Sequence, residues 1–171
     1  MYNVDNLVND LNHVDELIRK AAYIKLVDAG QEIVPDLVEM YPDVEGTARL
    51  MLLRALGEIG DERAVEVLLD AMTERDRESY FLVPSLAGKA LAQIGGEAAV
   101  EGLRDHLEHR NSGVRRMAIA VLGQIGEGRA IDVLRHALNH TQDDVREQAI
   151  KTLRKLDTLQ TYAILSQAGH V

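Results

Sequence analysis

The chain has 171 residues, of which 46% are hydrophobic and 27% are charged, and its formal net charge is −9. This balance is typical of a soluble globular protein rather than of a disordered or membrane chain. Cysteine is absent, which excludes disulfides, zinc–thiolate sites and a cysteine nucleophile. The acidic charge argues against general binding to nucleic acid, because the phosphate backbone requires clustered Lys and Arg.

Residues 1–5 show no basic stretch followed by an apolar one. No apolar run approaches the roughly 20 residues that a membrane helix needs. We therefore expect a cytoplasmic protein without membrane contact. The apolar residues are mostly Leu, Ala, Val and Ile, and Trp is absent, a composition that favours helices.

A five-residue motif, Leu-Gly-x-Ile-Gly, recurs along the chain. It occurs at 56–60 and 122–126, with a close copy at 91–95 and degenerate copies at 26–30 and 153–157. The closing residues of successive copies are 30, 35, 31 and 31 positions apart. A second column with the same rhythm consists of Leu7, Leu37, Leu68, Leu103, Leu134 and Leu165.

This period fits two short helices per repeat. We therefore predict repeats at about 3–30, 31–60, 61–95, 96–126 and 127–157, with a capping helix at 158–168, all in one domain spanning 1–171. The first helix of a repeat, the A helix, is represented by 64–72, and the second, the B helix, by 114–122. Gly60, Gly95 and Gly126 are expected to end B helices in the left-handed conformation.

The residues Val114-Arg115, Ala118 and 122–126 resemble the pattern of short HEAT-like repeats, and the period of about 31 is similar to that of the phycobilisome-lyase-like HEAT family. Repeats two and five match in part, whereas Pro84 replaces the Arg of repeat three. The resemblance implies an all-α fold: an α-solenoid (right-handed superhelix) of about five and a half two-helix HEAT-like repeats. It also implies a concave face lined by B helices and, for most such proteins, an adaptor role.

Charge is segregated between the two helix layers. The predicted B helices (15–29, 45–59, 79–94, 112–125 and 143–156) hold 12 Lys and Arg against 8 Asp and Glu, so they carry +4 and the remainder carries −13. Two interpretations remain open, and both can hold. In the first, Arg19, Arg49, Arg115 and Arg146 form a structural ladder that bonds carboxylates or carbonyls of neighbouring turns. In the second, a groove for an acidic protein partner is formed by Arg49, Arg54, Lys89, Arg115, Arg116, Arg146 and Lys151.

Repeat three is four residues longer than its neighbours, and the extra length falls within 74–84. This insertion contains Tyr80 and Phe81. Insertions in solenoids often emerge on the binding face, and aromatic side chains supply large contact area. The alternative is that both rings fold back and fill the wider gap between repeats.

Three histidines, His13, His109 and His140, occupy one repeat position, and His106 and His136 lie near the last two. Their spacing suits a shared metal ion on helix faces, but the helix dipole alone favours His near a helix C-terminus. We expect neither a metal nor a cofactor.

Catalytic patterns are weak. The chain lacks the His-Glu pairs with which HEAT-type deoxyhypusine hydroxylases hold iron, and its single Phe and absent Trp do not suit a cleft for an extruded base. The leading interpretation is a non-catalytic protein–protein interaction scaffold or adaptor, with self-association possible through an end of the repeat array. The alternative is a bilin (phycobilin) lyase or chromophore-detachment subunit that acts on a phycobiliprotein-like partner.

Overall fold

The structure is a computed structural model and describes residues 3–74 and 82–170. These residues form helices and turns and contain no β-strand. The α-helices within the described ranges are α1 (Val4–Asp10), α2 (Glu16–Ala29), α3 (Val34–Met40), α4 (Gly46–Ile59), α5 (Val65–Thr73), α6 (Leu82–Ile94), α7 (Gly96–Asp105), α8 (Ser112–Ile125), α9 (Gly128–Ala137), α10 (Asp143–Leu156) and α11 (Leu159–Gln167). Short 3-10 helices occur at Gly30–Ile33, Tyr41–Asp43, Glu62–Ala64 and His106–Glu108. Across the described part of the chain, no helix combines the length and apolar character needed to cross a membrane.

The predicted helix pairs are present. The B helices are α2, α4, α6, α8 and α10, and four of them agree with the predicted ranges to within one residue, whereas α6 is described from Leu82 onward. The A helices are α1, α3, α5, α7 and α9. Helix α11 lies where the capping helix is predicted. It packs against α10, and its Ile164 and Leu165 are buried.

Two compact units divide the chain, Met1–Ile94 (unit 1) and Gly95–Val171 (unit 2). In unit 1, α4 packs against α2 on one side and α6 on the other, and α5 packs against α6. In unit 2, α8 packs against α7, α9 and α10. Consecutive B helices therefore lie side by side within each unit, which is the stacking expected of a helical repeat.

Both leucine columns form the core. The column of the five-residue motif is fully buried and comprises Leu26, Leu56, Leu91, Leu122 and Leu153. The second column, which runs from Leu7 to Leu165, is at most 8% exposed at every position. Since burying one leucine contributes about 2 kcal/mol, these two columns account for much of the apolar stabilisation of the repeats.

The second residue of the motif is glycine where B helices approach closely. A Cβ on Gly57 would lie 2.8 Å from the Cα of Ala90, so α4 and α6 would have to move apart. A Cβ on Gly123 would instead overlap the Thr152 side chain of α10. Periodicity locates these glycines, but the reason for them is close packing between neighbouring repeats.

The ends of the B helices correct one prediction. Gly60 and Gly126 have φ of 73° and 67° and adopt the predicted left-handed conformation. Gly95 has φ 59° but ψ −143°, a region that is essentially restricted to glycine and is not left-handed helical. The prediction for Gly95 was therefore wrong in conformation, because the next helix, α7, begins immediately at Gly96 and the chain must turn within one residue.

Candidate partner-binding face

Helix α4 shows which side of a B helix faces away from the core. Its exposed residues Thr47, Arg54 and Glu58 recur at intervals of seven and four and therefore share one stripe. Leu52 and Leu56, on the opposite side, are fully buried. We call this exposed stripe, together with the equivalent positions of the other repeats, the B-helix face.

The repeat spacing gives the B-helix face of unit 1. Each exposed residue of the α4 stripe has an equivalent 30 residues earlier in α2 and another 35 residues later in α6. The face consists of Leu17, Ile24 and Asp28 in α2, Thr47, Arg54 and Glu58 in α4, and Leu82, Lys89 and Gln93 in α6. Three of these are large apolar residues, with exposures of 74% for Leu17, 56% for Ile24 and 45% for Leu82. Exposed apolar residues that cluster on one face are typical of an interaction site.

Two exposed cations, Arg54 and Lys89, share this face. Among the described residues, neither forms a salt bridge. Burial raises the pKa of the Tyr23 hydroxyl, and the neighbouring Glu58 carboxylate raises it further, whereas Arg54 acts in the opposite direction. Tyr23 therefore stays neutral and lies among these charges at the edge of the face.

Unit 2 presents different side chains at the same positions. The equivalents are Gly113, Ala120 and Gln124 in α8 and Asp144, Lys151 and Lys155 in α10. Helices α8 and α10, both described along their whole length, expose no large apolar side chain. Arg116, on the neighbouring stripe of α8, is exposed, so this face is polar and mostly cationic.

Four arginines at one repeat position cap the start of their own B helix. In each, Nη1 donates to a backbone carbonyl five or six residues earlier, at 2.6 to 3.0 Å. The pairs are Arg19 with His13 and Val14, Arg49 with Val44, Arg115 with His109, and Arg146 with His140 and Thr141. The structural ladder is therefore present, and its capping bonds satisfy carbonyls at the turn before each helix.

Two of these arginines also bind a carboxylate of a later element. Arg115 pairs with both oxygens of Asp144 at 2.9 Å, with side-chain exposures of only 12% and 23%, and its hydrogen bond lowers the pKa of Asp144. Arg49 donates to Glu74 at 2.7 Å and lies 4.4 Å from the centre of the Tyr41 ring. These bonds tie one repeat to the next.

The seven predicted partner-binding cations thus divide into two groups. Arg49, Arg115 and Arg146 are engaged in the capping bonds described above. The other four, Arg54, Lys89, Arg116 and Lys151, are exposed and available to a partner. Tyr80 and Phe81, the predicted contacts of the insertion, lie outside the described residues.

The three repeat-position histidines act as hydrogen-bond acceptors in the same turns. Nδ1 of His109 accepts the backbone N–H of Asn111 at 3.1 Å, and Nδ1 of His140 accepts that of Gln142 at 3.2 Å. His13 accepts the N–H of Asp15 in the same way. With Nδ1 occupied by a donor, the proton of a neutral ring lies on Nε2. Within the described ranges, no three potential metal ligands come together.

A cavity of about 200 Å³ lies beside α11 and is bordered by Leu153, Arg154, Tyr162 and Leu165. This volume is below the roughly 300–1,000 Å³ of typical small-molecule pockets. Arg154 donates to the carbonyl of His170 at 2.7 Å at its rim. The cavity therefore suits a single side chain better than a large cofactor.

Sequence reasoning from charge missed the apolar part of the face. Leu17 and Ile24 were not among the predicted contacts, because those contacts were chosen by charge and by the insertion. The available signal was the repeat alignment, in which Leu17 is equivalent to Thr47 and Ile24 to Arg54. A position that is polar in the next repeat is exposed in the first as well.

Comparison with known proteins identifies the family. A family model for HEAT repeats matches residues 4–81 and 77–154, while no curated protein matches the chain. A chain from the complex of CpcE and CpcF of phycocyanin lyase from Nostoc sp. PCC7120 is 23% identical with a TM-score of 0.58, and the alignment covers 87% of this chain and 96% of that one.

Two engineered proteins are 23% and 24% identical with TM-scores of 0.46 and 0.49. Their alignments cover 99% and 100% of this chain and 86% and 88% of theirs. The helix-pair architecture, the buried leucine columns and the matched family model agree. The chain is an α-solenoid that belongs to the HEAT-repeat family, and its fold resembles that of a chain of the CpcE–CpcF complex of phycocyanin lyase.

Proposed function

We propose that this protein is a non-catalytic binding scaffold that holds a protein partner with an acidic surface on its B-helix face. The exposed cations of that face carry the proposal. Arg54, Lys89 and Lys151 occupy equivalent repeat positions, all are exposed, and they stand on a chain whose net charge is −9. Cations exposed on an otherwise acidic chain attract an acidic partner to these positions, whereas the acidic remainder of the surface repels it.

The division of the cations refines where the partner binds. Arg49, Arg115 and Arg146 already donate to carbonyls and carboxylates, so a partner would gain little from them. Long side chains that end in water can instead form new ion pairs without first breaking a bond within the protein. The proposed contacts are therefore Arg54, Lys89, Arg116 and Lys151.

An affinity capture from the native lysate tests this function. The parent chain is compared with Arg54→Glu/Lys89→Glu/Lys151→Glu, and captured proteins are identified by mass spectrometry. We expect one abundant partner, rich in surface Asp and Glu, to be bound by the parent and lost by this variant. Circular dichroism of both forms is used to check that the variant retains the fold.

A matched control reverses three cations elsewhere. Arg104, Arg129 and Arg135 lie on A helices, with side chains 51%, 60% and 52% exposed, so Arg104→Glu/Arg129→Glu/Arg135→Glu changes the net charge equally. We expect this control to keep the partner. Loss of the partner from both variants would mean that net charge rather than the B-helix face governs binding.

A second candidate is a bilin lyase or chromophore-detachment subunit, which the likeness to the chain of the phycocyanin lyase complex favours. Co-expression with bilin synthesis and measurement of visible absorption separates the two functions. A bilin retained by the purified chain favours the lyase candidate. A colourless chain that captures a protein partner favours the scaffold.

A further inference from the structure

We propose that the B-helix face of unit 1 binds an amphipathic α-helix of the partner, with apolar residues on one side of that helix and acidic residues along one flank. This inference rests on the proposed function and narrows it from an acidic protein to a helical segment. The arrangement of side chains on α2, α4 and α6 in rows carries it.

The rows follow from the packing of the B helices. Gly57 lies against Ala90 and Gln93, which sets α4 beside α6 in the register of the repeat. Helix α2 also packs against α4, and applying the same repeat register there places equivalent residues of the three helices in rows. From the N-terminal ends of the helices, the first row is Leu17, Thr47 and Leu82, the second is Ala21, Met51 and Leu86, and the third is Ile24, Arg54 and Lys89.

The first two rows and Ile24 make an apolar strip. Leu17 and Leu82 of the first row are 74% and 45% exposed. In the second row, Ala21 is exposed, Met51 is half-buried and Leu86 is buried. The distance from Leu17 to Ile24 along α2 is about 10 Å at 1.5 Å per residue, which matches the diameter of one α-helix. One helix laid across the B helices would cover the strip.

The composition of the strip favours a helix over an extended segment. An extended peptide would bring its own N–H and C=O groups onto the apolar rows, where unpaired polar groups are costly. Thr47 is the only side chain of the first two rows that can hydrogen-bond to such groups. A helix satisfies its backbone internally and presents only side chains to the face.

The charges of the third row, and of the row that follows it, favour a particular charge pattern on the partner helix. Arg54 and Lys89 border the apolar strip on one side, and among the described residues no carboxylate forms a salt bridge with either. The next row holds Asp28 and Glu58, which would repel acidic residues placed further out. The charge pattern therefore fits a helix with a single acidic flank next to its apolar side.

A selection from a displayed library of random 16-residue peptides against the full chain tests this inference. We expect enriched peptides to carry apolar residues at intervals of three and four and Asp or Glu along one flank. The most enriched peptide is then synthesised, and its binding is measured by fluorescence anisotropy and its helicity by circular dichroism. We expect Leu17→Ser/Ile24→Ser to weaken binding at least about tenfold, because two exposed apolar anchors are lost.

Matched controls sharpen the result. Lys89→Glu removes a cation from the face, whereas Lys25→Glu removes an exposed cation from the neighbouring side of α2, so only Lys89→Glu should weaken binding.

Four results would overturn the inference: no enrichment, enriched peptides without helical spacing, undiminished binding to Leu17→Ser/Ile24→Ser, or unchanged binding after proline is placed mid-peptide. A dimer of the parent chain that Leu17→Ser/Ile24→Ser abolishes would also overturn it, by showing that the face binds a second copy. If the charge-reversed triple variant still loses the native partner in any of these cases, the proposed scaffold function stands without the helical partner.

Discussion

Unit 1 and unit 2 are built from the same repeat but present different surfaces on their B helices. At one equivalent position unit 1 has Leu17 and Leu82, whereas unit 2 has Gly113 and Asp144. The buried leucine columns do not change between the units. The repeats have diverged at positions that packing does not constrain, and the proposed partner contacts are among these positions. The frame and the binding face can therefore be tested separately.

The capping arginines should show the largest effect on stability. We expect Arg115→Ala to destabilise the protein by about 2–3 kcal/mol, because it leaves a partly buried carboxylate and a carbonyl without their donor. Arg49→Ala should cost somewhat less in unit 1, since its side chain is 20% exposed against 12% for Arg115. Urea unfolding followed by circular dichroism measures both.

The control for the arginines is Arg54→Ala, on the exposed face of unit 1. We expect it to change the free energy of unfolding by less than about 0.5 kcal/mol, as for most exposed substitutions. If Arg54→Ala lowered the free energy of unfolding as much as Arg115→Ala, the distinction between the capping arginines and the exposed cations of the B-helix face would be wrong.

The motif glycines provide the second comparison. Gly57→Ala in unit 1 should cost about 2 kcal/mol, because its methyl group meets backbone of α6 that cannot move alone. Gly123→Ala in unit 2 meets only the Thr152 side chain. We expect Thr152→Ser, which removes the obstructing methyl group, to restore most of the stability lost in Gly123→Ala. Thermal unfolding of the single and double variants measures this coupling, and a failure of Thr152→Ser to help would contradict the packing account.

The histidines should show a smaller difference between the units. His109→Ala and His140→Ala in unit 2 each remove an acceptor from a half-buried N–H and should cost about 1 kcal/mol. His13→Ala should cost less, because the corresponding N–H of unit 1 is exposed and can turn to water. His109→Asn retains an acceptor and serves as the control; chemical denaturation of all four variants checks the order.

The pH dependence of unit 2 should show the smallest effect. The Arg115 guanidinium holds the pKa of Asp144 below its usual range, so the folded state binds this proton more weakly than the unfolded state. The pair therefore contributes stability fully above the ordinary Asp pKa of about 3.9, and this contribution is lost as pH falls through the folded-state pKa. Denaturation curves of the parent and Asp144→Asn at neutral and acidic pH should converge as pH falls. A constant gap would show that ionisation of Asp144 does not stabilise the fold.

Much of the helix-pair architecture was predictable from sequence, because its buried residues recur at a nearly constant spacing. Leu56 and Leu122 recur in a motif, and recurrence in a helical repeat means burial in the seam between neighbouring repeats. The termini of α4 and α8 followed from Gly60 and Gly126 for the same reason. The conformation of Gly95 did not follow, since it depends on how soon the next helix begins.

The candidate site was less predictable, because exposure is decided by neighbours that are distant in sequence. Arg115 and Lys151 are both cations of B helices. Arg115 is bound by Asp144 and the His109 carbonyl, whereas Lys151 forms no salt bridge among the described residues, and the sequence alone does not reveal this difference. Leu17 and Ile24 belong to the first repeat, and no earlier repeat gives them a polar equivalent. Their exposure emerges only when they are aligned with the repeat that follows.

The most direct test of the account compares charge reversal in the two units. Binding of the captured partner is measured by isothermal titration calorimetry to Arg54→Glu/Lys89→Glu in unit 1 and to Arg116→Glu/Lys151→Glu in unit 2. Among the described residues of the B-helix face, those of unit 1 combine cations with exposed large apolar side chains, whereas those of unit 2 do not. We therefore predict that the unit 1 variant loses at least about tenfold more affinity. Equal losses, or a loss confined to the unit 2 variant, would contradict the claim that the B-helix face of unit 1 is the docking surface.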